Sequence, residues 1–486
     1  MKLSPDRDEF LRLAATHNII PVTADLPADL DTPVSVYCKI VGDRPGFMLE
    51  SAETSKNFGR YSFIGADPLI TLTATARHTD VRRRGKRSTI AGPPLAALQR
   101  ILGGHTFPGL PGLPPFCGGA VGYLAYEAAA TWERIRGLAV PDDMILGEYL
   151  ICQTIIALDH LTHTARLIHL APVDSPAAAP AAYETAAESL AALALRLRQP
   201  AVLPQTGAPE GGREEVADGR DDYIAAVNQA KEHIAAGDIF QAVLSRPFRR
   251  PLTTEPFHLY RRLRHLNPSP YMFYLNFGSR QLVGASPEML VKLRDGQVYT
   301  CPIAGTRPRG RDAAEDARLA ADLLADDKER AEHAMLVDLG RNDLGRISLP
   351  GTVAVSRLME VENYSHVMHI VSEVTGTLDP RYTPTDVLAA CFPAGTLSGA
   401  PKIRAMEIIA GLESAPRGPY GGAVGYFDFR GNIDTCITIR TLIIDGGQVV
   451  IQTGAGIVAD SVPAVEYQEI LHKAGALFQV MGGAQP

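Results

Sequence analysis

From about residue 32 to 170 the alternation of apolar and polar positions is mostly that of strands. Val34-Ser35-Val36-Tyr37, Phe47-Met48-Leu49-Glu50, Tyr61-Ser62-Phe63-Ile64 and the run 69–76 read as strands separated by Gly, Pro and Asp, and 120–126 and 148–158 form a second cluster. The pattern then changes. Residues 181–198 make an Ala-rich helix ending in Arg196-Leu197-Arg198, and 199–220 is a connector rich in Pro, Gly and Glu. These shifts divide the chain into an N-terminal region at 1–175, a helix and connector at 176–220, and a second region at 221–486. There, helices are predicted at 223–236, 312–341 with Met335, Leu336 and Leu339 on one side, 401–412 and 463–480. Strands are predicted at 271–275, 366–374, 422–429, 435–444 and 449–453. Antiparallel-looking strand pairs with segregated helices favour an α+β fold over a regular βαβ series.

Composition narrows the class. The 486 residues carry 54 acidic and 47 basic side chains, a net charge of −7, and 46% are apolar, which is a soluble globular balance without a nucleic-acid footprint. At roughly 150 residues per domain three domains are the prior, although large α+β enzymes exceed that in one unit. The longest charge-free stretch, Ile101 to Tyr126, contains Pro108, Pro111, Pro114 and Pro115, so it is not a membrane helix. The charged start Met1-Lys2-Leu3-Ser4-Pro5-Asp6 is no signal peptide, and a cytoplasmic protein is expected. Six cysteines, at 38, 117, 152, 301, 391 and 436, form no Cys-x-x-Cys pair, which suits a reducing compartment and argues against a zinc ribbon.

Several strings carry candidate chemistry. The hexapeptide Gly-Gly-Ala-Val-Gly-Tyr occurs at 118–123 and at 421–426, marking either two related halves or a coincidence in a Gly- and Ala-rich chain. Glu329/Glu332 and Glu466/Glu469 share helix faces, with Lys473 one turn beyond the second pair. Four carboxylates from two helices suit Mg²⁺, whose octahedron is completed by water and substrate oxygens; a solvated helix face is the alternative. His366 and His369 fall on opposite faces of a strand, so a general acid/base histidine or a core histidine is favoured over a shared metal. The Gly454-Ala455-Gly456 turn offers bare amides for a carboxylate or phosphate but lacks the dinucleotide fingerprint. Pro401 stands where a P-loop needs Gly-Lys-Ser/Thr, so the 395–402 string is not a nucleotide site.

The strings Asp238-Ile239-Phe240-Gln241, Pro302-Ile303-Ala304-Gly305-Thr306-Arg307-Pro308, Glu332 to Leu339 and 454–461 resemble, in order and over about 32–480, those of the chorismate-utilising enzymes, anthranilate synthases most of all. The resemblance implies a four-layer α/β/β/α fold. It also implies Mg²⁺-dependent amination of chorismate at C2, followed by pyruvate elimination to anthranilate. Glu332 and Glu469 would be Mg²⁺ ligands with Glu329 and Glu466 behind them. Gly305, Thr306, Thr396, Tyr420, Arg440, Lys473 and the 454–456 backbone (Gly454, Ala455, Gly456) would hold the substrate, a dianion that needs local positive charge. Glu288 would protonate the departing hydroxyl, which requires a neutral carboxyl, and His366 would serve the elimination.

Gln241 separates branches of this family, because relatives that add water carry Lys there as general base and an amide takes no proton at neutral pH. Ala304 replaces the nucleophilic Lys of some aminodeoxychorismate synthases, which remain the alternative. Leu49-Glu50-Ser51 and 267–273 resemble the feedback site for tryptophan, with Ser51, Pro270, Tyr271 and Met272 as contacts. A catalytically silent tryptophan-binding regulator is the reading from another class. No cysteine sits in a Gly-x-Cys-x-Gly nucleophile turn, so ammonia is expected from a glutamine amidotransferase subunit; the resemblance implies a hetero-oligomer of two large and two small subunits.

Overall fold

The computed structural model describes residues 1–51, 59–202, 215–216, 219–364 and 367–482. Every strand pair in it is antiparallel. Neighbouring residues of one strand enter different cores, as the pleat requires. Phe47 and Phe273 join Phe63, Phe116 and Phe427 in the larger core. Met48, Met272 and Tyr274 point the other way, onto Tyr37, Leu190, Phe257 and Tyr260 of overlying helices. Strands buried on both faces, with helices outside them, give the four-layer α/β/β/α arrangement and an α+β class.

The regions on either side of the connector share ladders. Strand Gly46–Glu50 pairs with Tyr271–Asn276, and Gly119–Leu124 pairs with Ala423–Asp428. The second pairing joins the two hexapeptide copies, with Gly122 opposite Gly425. A Cβ on Gly122 would stand 2.0 Å from the Glu148 carbonyl oxygen, and one on Gly425 2.1 Å from that of Asp434. The repeated glycines therefore let a third strand close on each side.

Three expectations are corrected. Val34 to Tyr37 is not a strand but part of helix Pro33–Ile40, begun by a Thr32/Ser35 capping box with Pro33 at its first position. The helical stretch 312–341 is two helices, Ala313–Ala325 and Asp327–Gly345, broken at Asp326, whose carboxylate accepts the amides of Lys328 and Glu329. The 435–444 strand is likewise split into Ile433–Ile437 and Thr441–Asp445 around Arg440, which has φ 49°. Among the described residues no helix is long and apolar enough to cross a membrane.

Candidate active site

Strand Ile303–Pro308 pairs with Val367–Thr377 through a bulge between Ala304 and Thr306. Gly305 supplies it at φ +70°, a conformation that costs glycine nothing. The bulge sets Thr306 opposite His369, whose Nδ1 lies 2.9 Å from the Gly305 carbonyl and 3.1 Å from the Thr306 hydroxyl. A carbonyl only accepts, so Nδ1 carries the proton and Nε2 keeps its lone pair. Burial holds the imidazole below its ordinary pKa, and the nearby charge of Arg440 acts in the same direction. His366 lies outside the described residues. Among the described residues the histidine brought to this site is His369, missed as a site residue; its signal was its strand register opposite the Gly305-Thr306 string.

Glu288 follows strand Arg280–Ser286, and its Oε1 accepts a 3.0 Å hydrogen bond from the hydroxyl of Thr396 in the short turn Gly395–Leu397. Burial pushes this carboxyl up to about 8, while Thr396 and the charge of Arg440 pull it back down. Arg440 thus faces both Glu288 and His369. Tyr420 is buried nearby, and burial keeps its phenol protonated. Asp343, across the small cavity beside Glu288, is paired with Lys402 at 2.9 Å, so the lysine of the P-loop-like string is structural.

The acidic face is built from two helices and one strand. Gln241, 5% exposed, donates a long 3.4 Å hydrogen bond to Glu332, and its Oε1 has no partner among the described residues. Burial raises the Glu332 carboxyl, the charge of Glu329 raises it further, and Gln241, Lys328 and Lys473 lower it. Glu329 also meets Arg307 at 3.4 Å. On helix Pro463–Val480, Glu469 pairs with Lys473 at 2.7 Å, and Lys473 donates to the Gly454 carbonyl at 3.0 Å. Glu466, one turn earlier on that helix, is half-buried. No cluster of three or more His, Cys, Asp or Glu forms a closed metal cage among the described residues. A half-buried carboxylate crowded by a second one nevertheless suits an open Mg²⁺ site, since that ion takes one or two carboxylates.

The Gly454-Ala455-Gly456 turn is also corrected. These residues continue strand Gln448–Ile457, paired to Gln241–Pro251. Their glycines make room for side chains: a Cβ would sit 2.9 Å from the Tyr420 hydroxyl at Gly454 and 2.5 Å from Gln241 Nε2 at Gly456. On its other edge the strand is paired only as far as Ile451, so any anion contact there uses a strand edge.

Ser51, Pro270, Tyr271 and Met272 come together in a cavity of about 530 Å³, because strand Gly46–Glu50 pairs with Tyr271–Asn276. Sequence reasoning missed Asp434 in its wall, which accepts from the Tyr271 hydroxyl at 3.0 Å and pairs with Lys292 at 3.0 Å. The Glu50 side chain, 2% exposed, binds Arg264 through Oε1. Its Oε2 and the Ser51 hydroxyl are buried with no partner among the described residues.

Residues 45–479 match the family model described as chorismate binding enzyme. The chain is 44% identical over 487 residues to anthranilate synthase component 1 of Acetivibrio thermocellus, covering 98% of each. It is 43% identical to the protein of that name from Pseudomonas putida, covering 99% of each. Anthranilate synthase component I of Streptococcus pneumoniae superposes with a TM-score of 0.76 at 36% identity, covering 87% of this chain and 93% of that one. The menaquinone-specific isochorismate synthase of Escherichia coli, at 22% identity and TM-score 0.72 over 98% of each chain, shares the fold.

Proposed function

The chain belongs to the chorismate binding enzymes, in the line of anthranilate synthase component 1, and on that footing we propose that it converts chorismate and ammonia to anthranilate. In the first step the ammonia nitrogen bonds to C2, the ring double bonds shift and the C4–O bond breaks. Glu288 gives the departing hydroxyl its proton, so that it leaves as water. The placing of its carboxyl in a desolvated pocket against the Thr396 hydroxyl is the observation that carries this reading, because burial there pushes the group up to about 8, whereas an acid that ionised near 4 would have no proton to give at neutral pH. In the second step His369 Nε2 takes the C2 proton, the C3–O bond breaks, the ring becomes aromatic and the side chain leaves as enolpyruvate, whose methylene carbon takes up a proton to give pyruvate. A neutral imidazole fits that task.

Gln241 favours amination over hydration, since its amide cannot deprotonate water and ammonia needs no base to attack. Arg440 and Lys473, with the edge of strand Gln448–Ile457, would hold the two carboxylates of the substrate. Glu332 and Glu469 would bind Mg²⁺, with Glu329 and Glu466 behind them. When bound, that ion supplies positive charge to a substrate carboxylate in an otherwise acidic pocket. The ammonia source would be a glutamine amidotransferase subunit.

The 530 Å³ cavity suits tryptophan as feedback inhibitor. Glu50 Oε2 and the Ser51 hydroxyl can accept from an ammonium group, and Phe63, Tyr271 and Met272 offer apolar walls for an indole. The test is to incubate the chain with chorismate, Mg²⁺ and ammonium, with and without tryptophan, and to identify the product chromatographically. Anthranilate that disappears when tryptophan is added supports both parts. Aminodeoxychorismate or isochorismate would overturn the assignment, and anthranilate insensitive to tryptophan would remove the feedback part alone.

A further inference from the structure

A buried guanidinium lies beneath the site and is used by neither step. Arg417 stands three residues before Tyr420, and its side chain is 1% exposed. Its Nε and Nη2 grip both oxygens of Glu413, at 2.7 and 2.6 Å. Its Nη1 donates to the Leu397 carbonyl at 2.7 Å and its Nη2 to the Val243 carbonyl at 2.6 Å. The guanidinium carbon lies 4.4 Å from the centre of the Tyr126 ring and 5.9 Å from that of Tyr420.

These attachments are not scattered. Leu397 follows Thr396, Val243 lies two residues after Gln241 and Tyr420 flanks Gly454, so one side chain ties together three segments that carry site residues. Glu413 reinforces the second tie, because its Oε1 also accepts the Ser245 amide at 2.7 Å and hydroxyl at 2.9 Å. Glu127, from the N-terminal region, fixes the backbone of the group by accepting the amides of Arg417 at 2.6 Å and Gly418 at 3.0 Å. The Gly395–Leu397 turn is only three residues long and has no side-chain cap of its own, so its position depends on such outside bonds.

We propose that Arg417 is a positioning residue, which sets the Thr396 hydroxyl against Glu288 and the Tyr420 ring against the Gly454 strand. It touches no reacting atom, and the proposal rests on the chorismate-aminating reading of the site. A fork of two parallel N–H bonds to one carboxylate, with further N–H bonds to two carbonyls, is a task for guanidinium that an ammonium cannot repeat.

The consequence is measurable through Glu288. The Thr396 hydrogen bond favours the ionised carboxylate, so a loosened turn lets Glu288 hold its proton to higher pH. The other charged groups facing Glu288 are Arg440 and, across the small cavity, Asp343 with its partner Lys402. The thiols of Cys301 and Cys391 line the same cavity, and burial keeps both neutral. Arg417 bonds instead to Glu413, Leu397 and Val243, so Thr396, next to Leu397, is its route to Glu288.

The experiment compares the full chain with Arg417→Lys, Glu413→Gln and Thr396→Val, measuring kcat and KM for chorismate against pH with ammonium and Mg²⁺, per folded molecule. For Arg417→Lys we expect kcat to fall about 10-fold or more while KM moves less than about 3-fold. The alkaline limb should shift upward by about 0.5 to 1 pH, in the same direction as for Thr396→Val. Glu413→Gln, which keeps the guanidinium but weakens its fork, should give a smaller shift of the same sign and serves if Arg417→Lys does not fold. A limb that stays at the parent position in whichever of these two variants folds, with unchanged kcat per folded molecule, overturns the proposal and leaves Arg417 a core residue. Failure of the parent to consume chorismate would instead refute the reading of the site.

Discussion

Replacing Glu288 by Gln tests whether this carboxyl is held neutral. Glutamine keeps the shape and an oxygen for the Thr396 hydroxyl but has no proton to give, so kcat should fall by about 10²- to 10⁴-fold. Stability gives an independent reading. The folded chain binds this proton with a pKa of about 8 against 4.5 for the ordinary carboxyl, a difference of about 5 kcal/mol at most. The folded state therefore binds more protons than the unfolded one between those values. The contribution of Glu288 is fully present below about pH 4.5, declines as pH rises, and is exhausted above about pH 8. Glutamine does not titrate, so in thermal melts the variant should gain on the parent steadily from about pH 5 to 8 and no further above that. Melting curves separated by a constant offset over that range would refute the claim that the site keeps Glu288 protonated.

Gly122→Ala places a methyl group 2.0 Å from a backbone oxygen, so we expect a loss of about 3 kcal/mol or more, seen as a large drop in melting temperature. Gly456→Ala meets only the movable end of Gln241, at 2.5 Å; ammonium-dependent kcat should fall about 10-fold while the melting temperature changes little. Ser51→Phe removes a buried hydroxyl that we assign to tryptophan and fills the cavity, so half-inhibition by tryptophan should need about 10- to 100-fold more ligand in a chorismate turnover assay.

Much of this was legible where local pattern and tertiary use agree. The runs at 47–50 and 271–275 alternate because each buries both faces in different cores, and their pairing brings the four expected tryptophan contacts into one cavity. Val34 to Tyr37 misled because a four-residue apolar alternation also fits one helical turn, and the deciding signal lay upstream in Thr32, Pro33 and Ser35. Gly454-Ala455-Gly456 looked like a turn, although its glycines are needed for the approach of Tyr420 and Gln241 across a strand. Asp434 reaches Tyr271 from 163 positions away, and no local pattern reports such a contact. His369 was hidden by a neighbouring histidine, and only the bulge at Gly305 shows which nitrogen is free.

The central claim is that one site performs two steps with different groups, Glu288 for amination and His369 for elimination. The most direct test is His369→Gln incubated with chorismate, Mg²⁺ and ammonium, following chorismate loss, pyruvate release and the ring product together. The account predicts that chorismate is still consumed while pyruvate release slows, so that an aminated product retaining its enolpyruvyl side chain accumulates. Pyruvate released in step with chorismate at the parent's rate would contradict it.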